Sequence, residues 1–182
     1  MNEVVRRSKR ISRLLRHTAG ERGLAMSPDG WSSIQDVCAL LDLTRPQLDE
    51  AVAQNDKRRL QVDGGLIRAC QGHSRLNMPV TLEALEASWA VYDLQGLLWH
   101  GTNAQAVGSI TATGLHPGRR THVHLTQTRD SPLGRRTPVQ LAVDPAGLAV
   151  FEAPNGVLLT RSVPPENIVK SDAVHQARWS GS

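Results

Sequence analysis

Asp63-Gly64-Gly65 stands between two short runs, Arg59-Leu60-Gln61-Val62 and Leu66-Ile67-Arg68, and leaves the backbone little choice. Asp-Gly and Gly-Gly steps supply the positive φ angles of a tight turn, so the two runs are predicted to fold back on each other as a hairpin. The pattern before the hairpin is helical. Residues 8–17, SKRISRLLRH, set Ile11, Leu14 and Leu15 at helical spacing behind Ser8 as a cap, with cations on the other face. After the turn-rich Ser27-Pro28-Asp29-Gly30 and Trp31, Ser32 or Ser33 can cap a helix with Ile34, Val37, Cys38 and Leu41 on its apolar side. A further helix is predicted over 44–54, opened by Thr44 with Arg45-Pro46 in its first turn and burying Leu48, Val52 and Ala51. Helix, helix, helix, hairpin is the order of a winged-helix module, which commonly engages nucleic acid. A helical cap that binds nothing has the same order.

Residues 75–96 read as a connection, broken by Pro79, with a helical turn or two around Leu82, Leu85 and Trp89, and ending at Gln95-Gly96. A second unit is expected beyond it, which divides the chain into 1–95 and 96–182. Leu97, Leu98 and Trp99 lead as a strand into His100-Gly101-Thr102. A helix follows over Ala106 to Ala112, with Val107 and Ile110 inward and Gly114 ending it. Short β-like runs then recur at 123–125, 139–143, 150–151 and 157–159, separated by Gly, Pro and Asn, so the second half is expected to be mostly β. The tail from Ser171 onward carries no pattern.

Of the 182 residues 40% are hydrophobic and only 3% aromatic, so the core must be aliphatic and the four Trp stand out. The net charge is +4, which favours anionic partners. Its distribution says more. Arg6, Arg7, Lys9, Arg10, Arg13 and Arg16 come with no acid among them, and Arg119, Arg120, Arg129, Arg135 and Arg136 are opposed only by Asp130. Phosphate-rich ligands suit such faces, as does plain solvation. Cys38 and Cys70 have neither disulfide-framework nor zinc spacing. The start, MNEVVRRSKR, has no apolar export core, and no apolar run reaches the roughly 20 residues of a membrane span. A monomeric cytoplasmic protein with no membrane partner is expected.

Cation-and-imidazole groups recur at Arg16-His17, Arg68 with His73, His100, and Arg120 with His122 and His124, each bordering a turn or an element end. His122 and His124, two apart on a strand, could edge a metal site, but no ligand set completes it and Arg119 and Arg120 would repel a dication, so no metal is expected. A P-loop, a GxGxxG after a strand, a GxSxG elbow, a cysteine with a base and paired carboxylates are all missing. What remains is Arg, a planar fork for phosphate oxygens, with His, which titrates near neutral pH.

Taken in order, Leu14-Leu15-Arg16-His17, Gly30-Trp31, Arg68-Ala69-Cys70-Gln71-Gly72-His73-Ser74, His100-Gly101-Thr102, Gly114-Leu115, Arg120-Thr121-His122-Val123-His124-Leu125 and Asn155-Gly156-Val157-Leu158-Leu159 resemble the signature of the RNA 2′-phosphotransferases of tRNA splicing. The resemblance runs from about residue 8 to about 170. It implies an α+β protein with an N-terminal winged-helix-like lobe for RNA and a C-terminal lobe of ADP-ribosyltransferase fold, which binds NAD in a split antiparallel β-sheet. The implied reaction consumes NAD: an internal RNA 2′-phosphate displaces nicotinamide, giving a 2′-phospho-ADP-ribosylated RNA. The ribose 2″-hydroxyl then attacks the phosphorus and releases ADP-ribose 1″,2″-cyclic phosphate.

Carried over residue by residue, the resemblance makes Arg16, His17, Arg68 and Arg120 catalytic, with three guanidinium groups about one phosphate. It assigns His100, Gly101, Thr102, Ile110, Gly114, Leu115, His122, Asn155 and Gly156 to NAD, and Gln71, His73 and Ser74 to the loop or the RNA backbone. The chain departs from the family pattern at Cys70, where Asn is common, and at Gly118, where Met is common. Two other readings stay open. One is an ADP-ribosyltransferase that caps terminal phosphates of RNA or DNA; the other is a winged-helix nucleic-acid binder with an inactive second lobe.

Overall fold

The computed structural model describes residues 3–55, 57–93, 96–129, 131–133 and 137–169. Arg135, Arg136, Asp130, Gln95 and the tail from Ser171 lie outside them. The fold is α+β, with antiparallel sheets throughout. Two compact units divide the chain. The first runs to Ala90 and takes in Arg119–Thr121 and Ala153–Asn155; the second comprises Val91–Gly118, His122–Glu152 and the chain from Gly156.

In the first unit, helix α1 spans Glu3–Arg13 and passes directly into a single π-helical turn, Leu14–Thr18. The sequence predicts this helix from Ser8 onward; it begins earlier because Val4 is also buried, along with Ile11. The wider turn keeps Leu14 and Leu15 in the core while Arg16 and His17 stay half-buried at its edge. Such π turns are uncommon and concentrate at functional sites. Helix α2, Ile34–Leu41, is capped by Ser33, whose Oγ accepts from the Asp36 N–H at 3.4 Å. Helix α3, Arg45–Ala53, starts in a capping box: the Gln47 N–H donates to Thr44 Oγ1, and the Thr44 N–H donates to Gln47 Oε1. Between the capping pairs lies a core of Ile11, Leu14, Leu15, Val37, Leu48 and Ile67. Each such side chain contributes about 1.5–3 kcal/mol on burial.

The predicted hairpin is present as β2, Leu60–Asp63, and β3, Leu66–Ala69, in register from Leu60↔Ala69 to Asp63↔Leu66 with Gly64-Gly65 as the loop. Ser32–Ser33, β1, pairs with the other edge of β3, giving a three-stranded sheet of order β1-β3-β2. A short helix, α4, covers Leu82–Ala87, and the two-residue strand β4, Ala90–Val91, follows it.

The second unit holds two sheets. In one, β5 (Leu98–Thr102) pairs along its whole length with β7 (Val139–Val143), and β10 (Ile168–Val169) pairs on the far edge of β7. In the other, β9 (Leu158–Thr160) lies between β6 (Val123–Leu125) and β8 (Phe151–Glu152). A reciprocal pair of backbone bonds between Trp99 and Thr126, both 2.9 Å, links β5 to the chain just past β6. Helix α5, Ala104–Thr113, is capped by Asn103 and ends at Gly114, whose N–H donates to Ile110 O. Val107 and Ile110 are half-buried, Ile110 against a core that includes Leu98, Leu115, Val123, Leu125, Val143 and Leu158. No helix among the described residues is long and apolar enough to cross a membrane.

Candidate active site

Ser74 is the point at which three distant pieces of the first unit meet. Its backbone N–H donates to Arg16 O at 2.8 Å, and its hydroxyl lies 2.9 Å from His17 Nδ1. On its other side Ser74 bridges Arg120 in antiparallel fashion, with the flanking bonds Arg75 N–H to Arg119 O and Thr121 N–H to His73 O. The stretch after β3 is therefore held between the π turn and residues 119–121. That arrangement places Arg16, His17 and Arg120 in one electrostatic neighbourhood.

Arg16 is fastened by its side chain as well. Nε donates to Gly72 O at 3.3 Å and Nη2 to Gln71 Oε1 at 3.5 Å. Gly72 has φ +86, and a Cβ there would overlap the Arg16 guanidinium, so only glycine permits this approach. Burial, then the charges of Arg120 and Arg59, lowers the Arg16 pKa to about 10. Burial, followed by Arg16 and Arg120, likewise holds His17 below its ordinary 6.5. The site thus gathers cations against their mutual repulsion and keeps the imidazole uncharged at neutral pH.

Arg68 is placed differently. It is 5% exposed on β3, and its guanidinium stacks over Trp31 at 4.7 Å. Nε donates to Gln61 Oε1 at 2.9 Å, and Nη1 donates to Asp29 O at 3.3 Å and lies 3.8 Å from Asp29 Oδ2. Burial outweighs Asp29 and lowers its pKa too. Burial raises the pKa of the Cys70 thiol more than the charges of Arg68 and Arg16, both within reach of it, pull it down. That thiol is buried, donates to Arg58 O at 3.3 Å and is pushed up to about 11 by desolvation, so it is a packed side chain and not an acidic nucleophile. Gly118, the other departure from the family pattern, is exposed with φ +60.

Gln71 is 7% exposed and serves Arg16; His73 is fully buried beneath Gly30, and its carbonyl anchors Thr121. Asn155 belongs to this unit as well, buried and donating from Nδ2 to Lys57 O at 3.2 Å.

The other sequence-predicted residues lie in the second unit. His100, Gly101 and Thr102 are half-buried on β5. His100 Nδ1 sits 3.0 Å from His124 O, and because a carbonyl only accepts, Nδ1 carries the hydrogen and Nε2 the lone pair. Burial lowers the His100 pKa. Leu115 is 3% exposed and paired with Val163 in the core, His122 is buried just ahead of β6, and Gly156 faces Leu133. Strand β5 thus sets a neutral imidazole acceptor, which can take a hydrogen bond from a hydroxyl donor, beside a glycine and the Thr102 hydroxyl. Among the described residues no group of His, Cys, Asp and Glu could hold a metal ion.

Sequence reading missed Arg59. Its side chain lines, with Arg16 and His17, a cleft of about 590 Å³. The adjacent cations Arg58-Arg59 at the entry to the hairpin were the available signal.

The family model described as RNA 2′-phosphotransferase, Tpt1/KptA family, matches residues 2–162. Among curated relatives, a "Probable RNA 2′-phosphotransferase" of Pseudomonas syringae pv. tomato is 37% identical over 180 residues, covering 90% of this chain and 92% of the relative. One from Burkholderia lata is 38% identical over 186 residues, covering 93% and 92%. One from Streptomyces coelicolor is 39% identical over 175 residues, covering 88% and 92%. With a family model spanning most of its length and relatives alike nearly end to end, the chain belongs to the RNA 2′-phosphotransferase family, Tpt1/KptA.

Proposed function

We propose that this protein removes an internal 2′-phosphate from RNA by transfer to the ADP-ribose part of NAD. The observation that carries the reading is the meeting of Arg16-His17 and Arg120 at Ser74, which brings together three distant parts of the sequence despite like charge. Guanidinium forks from Arg16 and Arg120 suit the non-bridging oxygens of a phosphate, and fixed cations stabilise the charge that builds there as the phosphoryl group moves. Arg68 offers Nη2, since its other nitrogens serve Gln61 and Asp29 among the described residues. Its rigid mounting on Trp31 suits orientation of the phosphate. His17, uncharged at neutral pH and tethered through Nδ1, is suited to hold or pass a proton at the departing RNA oxygen.

In this reading the first unit, with its helices and hairpin in winged-helix order, is the RNA lobe, and the second, with its two stitched antiparallel sheets, is an ADP-ribosyltransferase-type lobe. His100, Gly101 and Thr102 would hold NAD, with Ile110, Gly114, His122 and Gly156 near it; Leu115 contributes through the core beneath. When bound, NAD supplies the acceptor ribose, with nicotinamide as the group released.

The test is incubation with NAD and an RNA carrying one internal 2′-phosphate. Nicotinamide should appear in step with loss of the phosphate from the RNA. Retention of the phosphate with no nicotinamide sinks the reading. A lasting adduct on 5′- or 3′-phosphorylated strands alone would point to end-capping, and salt-sensitive RNA binding without products to a binding-only protein.

A further inference from the structure

The cleft beside Arg16 is larger than one phosphate needs, and its lining is one-sided. Lys9, Ser12 and Arg13 of α1 line it together with Arg16 and His17 of the π turn, and Arg59 faces them from the approach to β2. Lys9 and Arg13 are four residues apart in α1, the spacing that stacks side chains on one helical face, and Arg16 follows from the π turn. Glu21 is the only acid lining it among the described residues, and its Oε1 already accepts from Asn77 Nδ2 at 2.9 Å. No aromatic side chain lines it, so it offers no platform for stacking a base.

Arg59 is held there by design of its backbone. Asn55 Oδ1 accepts from the Arg59 N–H at 3.1 Å, while Asn55 Nδ2 donates to Ser8 Oγ at 2.8 Å and so ties the same residue to α1. Arg59 O accepts from the Cys70 N–H at 2.9 Å. The preceding residue, Arg58, adopts φ +45, a left-handed conformation that a non-glycine residue takes only where its surroundings impose it. After burial and Arg120, Arg59 is also near enough to Arg16 for its charge to lower the Arg16 pKa.

We propose that this cleft receives a neighbouring backbone phosphodiester of the RNA strand, gripped by Arg59 with Lys9 and Arg13 extending the track, so that the site selects a phosphate inside a strand over a lone nucleotide. The proposal rests on the function given above. Its chemistry is backbone recognition: forks and ammonium groups read phosphates without reading bases.

The experiment compares wild type with Arg59→Ala on two substrates, a single-stranded oligonucleotide with one internal 2′-phosphate and a nucleoside 2′-phosphate. In wild type kcat/KM favours the oligonucleotide; in Arg59→Ala that preference should fall about tenfold. The slope of log kcat/KM against log salt for the oligonucleotide should shrink by about 0.7, the value for one phosphate contact on a single strand. Equal losses on both substrates, or an unchanged preference, overturn the proposal. Should wild type release no nicotinamide from either substrate, the proposed function fails, and a second arm decides this inference separately. Fluorescence anisotropy with unmodified single-stranded RNA, no NAD present, should show about tenfold weaker binding and a reduced salt slope for Arg59→Ala; unchanged binding overturns it. A circular-dichroism melt matching wild type confirms that the variant is folded.

Discussion

Replacing Gly72 with alanine adds one methyl group, and its destination is occupied. The new Cβ would lie 2.7 Å from Arg16 Cζ and 2.8 Å from Nε, inside any real contact distance. These atoms end a flexible side chain, so Arg16 moves and the fold survives. The backbone cost of a non-glycine residue at φ +86 is about 1 kcal/mol or somewhat more. Losing the Arg16 Nε bond to Gly72 O adds about 1 kcal/mol. Gly64→Ala is the control, since Gly64 has φ +55 with nothing within 4 Å and carries only the backbone cost. Gly72→Ala should therefore melt about 2–4 °C below Gly64→Ala, the shift for 1 kcal/mol in a chain of this size. The larger effect is on turnover. A guanidinium displaced by about 1 Å from a reacting phosphate costs on the order of 100-fold in rate. Nicotinamide release from NAD and a 2′-phosphorylated RNA, measured beside thermal melts, separates the two quantities. If Gly72→Ala turns over within threefold of Gly64→Ala, Arg16 is not held by Gly72 in the way described.

Arg68→Lys should lower stability by about 1–2 kcal/mol, since an ammonium cannot both span Gln61 and Asp29 and lie flat on Trp31; urea unfolding measures it, and wild-type stability would contradict the mounting described. His100, held below 6.5 by burial, stays neutral in the fold while the unfolded chain gains a proton as pH falls through about 6.5. Stability is accordingly full above that pH and declines below it, and His100→Gln should flatten the decline, leaving the share due to His17. Thiol reagents should modify Cys38, which is half-buried, well before Cys70, which should react only on unfolding; mass spectrometry of the labelled sites decides.

The punctuation that breaks the chain into elements was legible because it is local. Ser33, Thr44 and Gly114 sit at the helix ends where their chemistry put them, and Gly64-Gly65 closes the predicted hairpin. The N-terminal start of α1 was hidden because the positions three and four residues after Val4, the one buried residue there, are Arg7 and Ser8, which leaves no apolar stripe to count. The two-residue strand β1 was hidden because Ser32 and Ser33 also read as caps. The role of Ser74 as a junction, and the setting of Arg68 against Trp31 and Asp29, depend on pairs tens of residues apart that no periodicity reports; only the Gln61 contact of Arg68 follows from the predicted hairpin. Arg59 escaped for a related reason, as what marks it is the clamp from Asn55 and the strained Arg58 before it.

The π turn at Leu14–Thr18 has a bearing on how this segment can change in length. Deleting one residue there would restore ordinary helical hydrogen bonding and improve the helix as a helix. It would also swing everything beyond the deletion by about 100° around the axis, carrying the imidazole and guanidinium away from Ser74. Such a protein would gain a more regular helix at the expense of both the site and the seating of the core residues that follow, so indels should be purged from this turn although the local hydrogen bonding would welcome one.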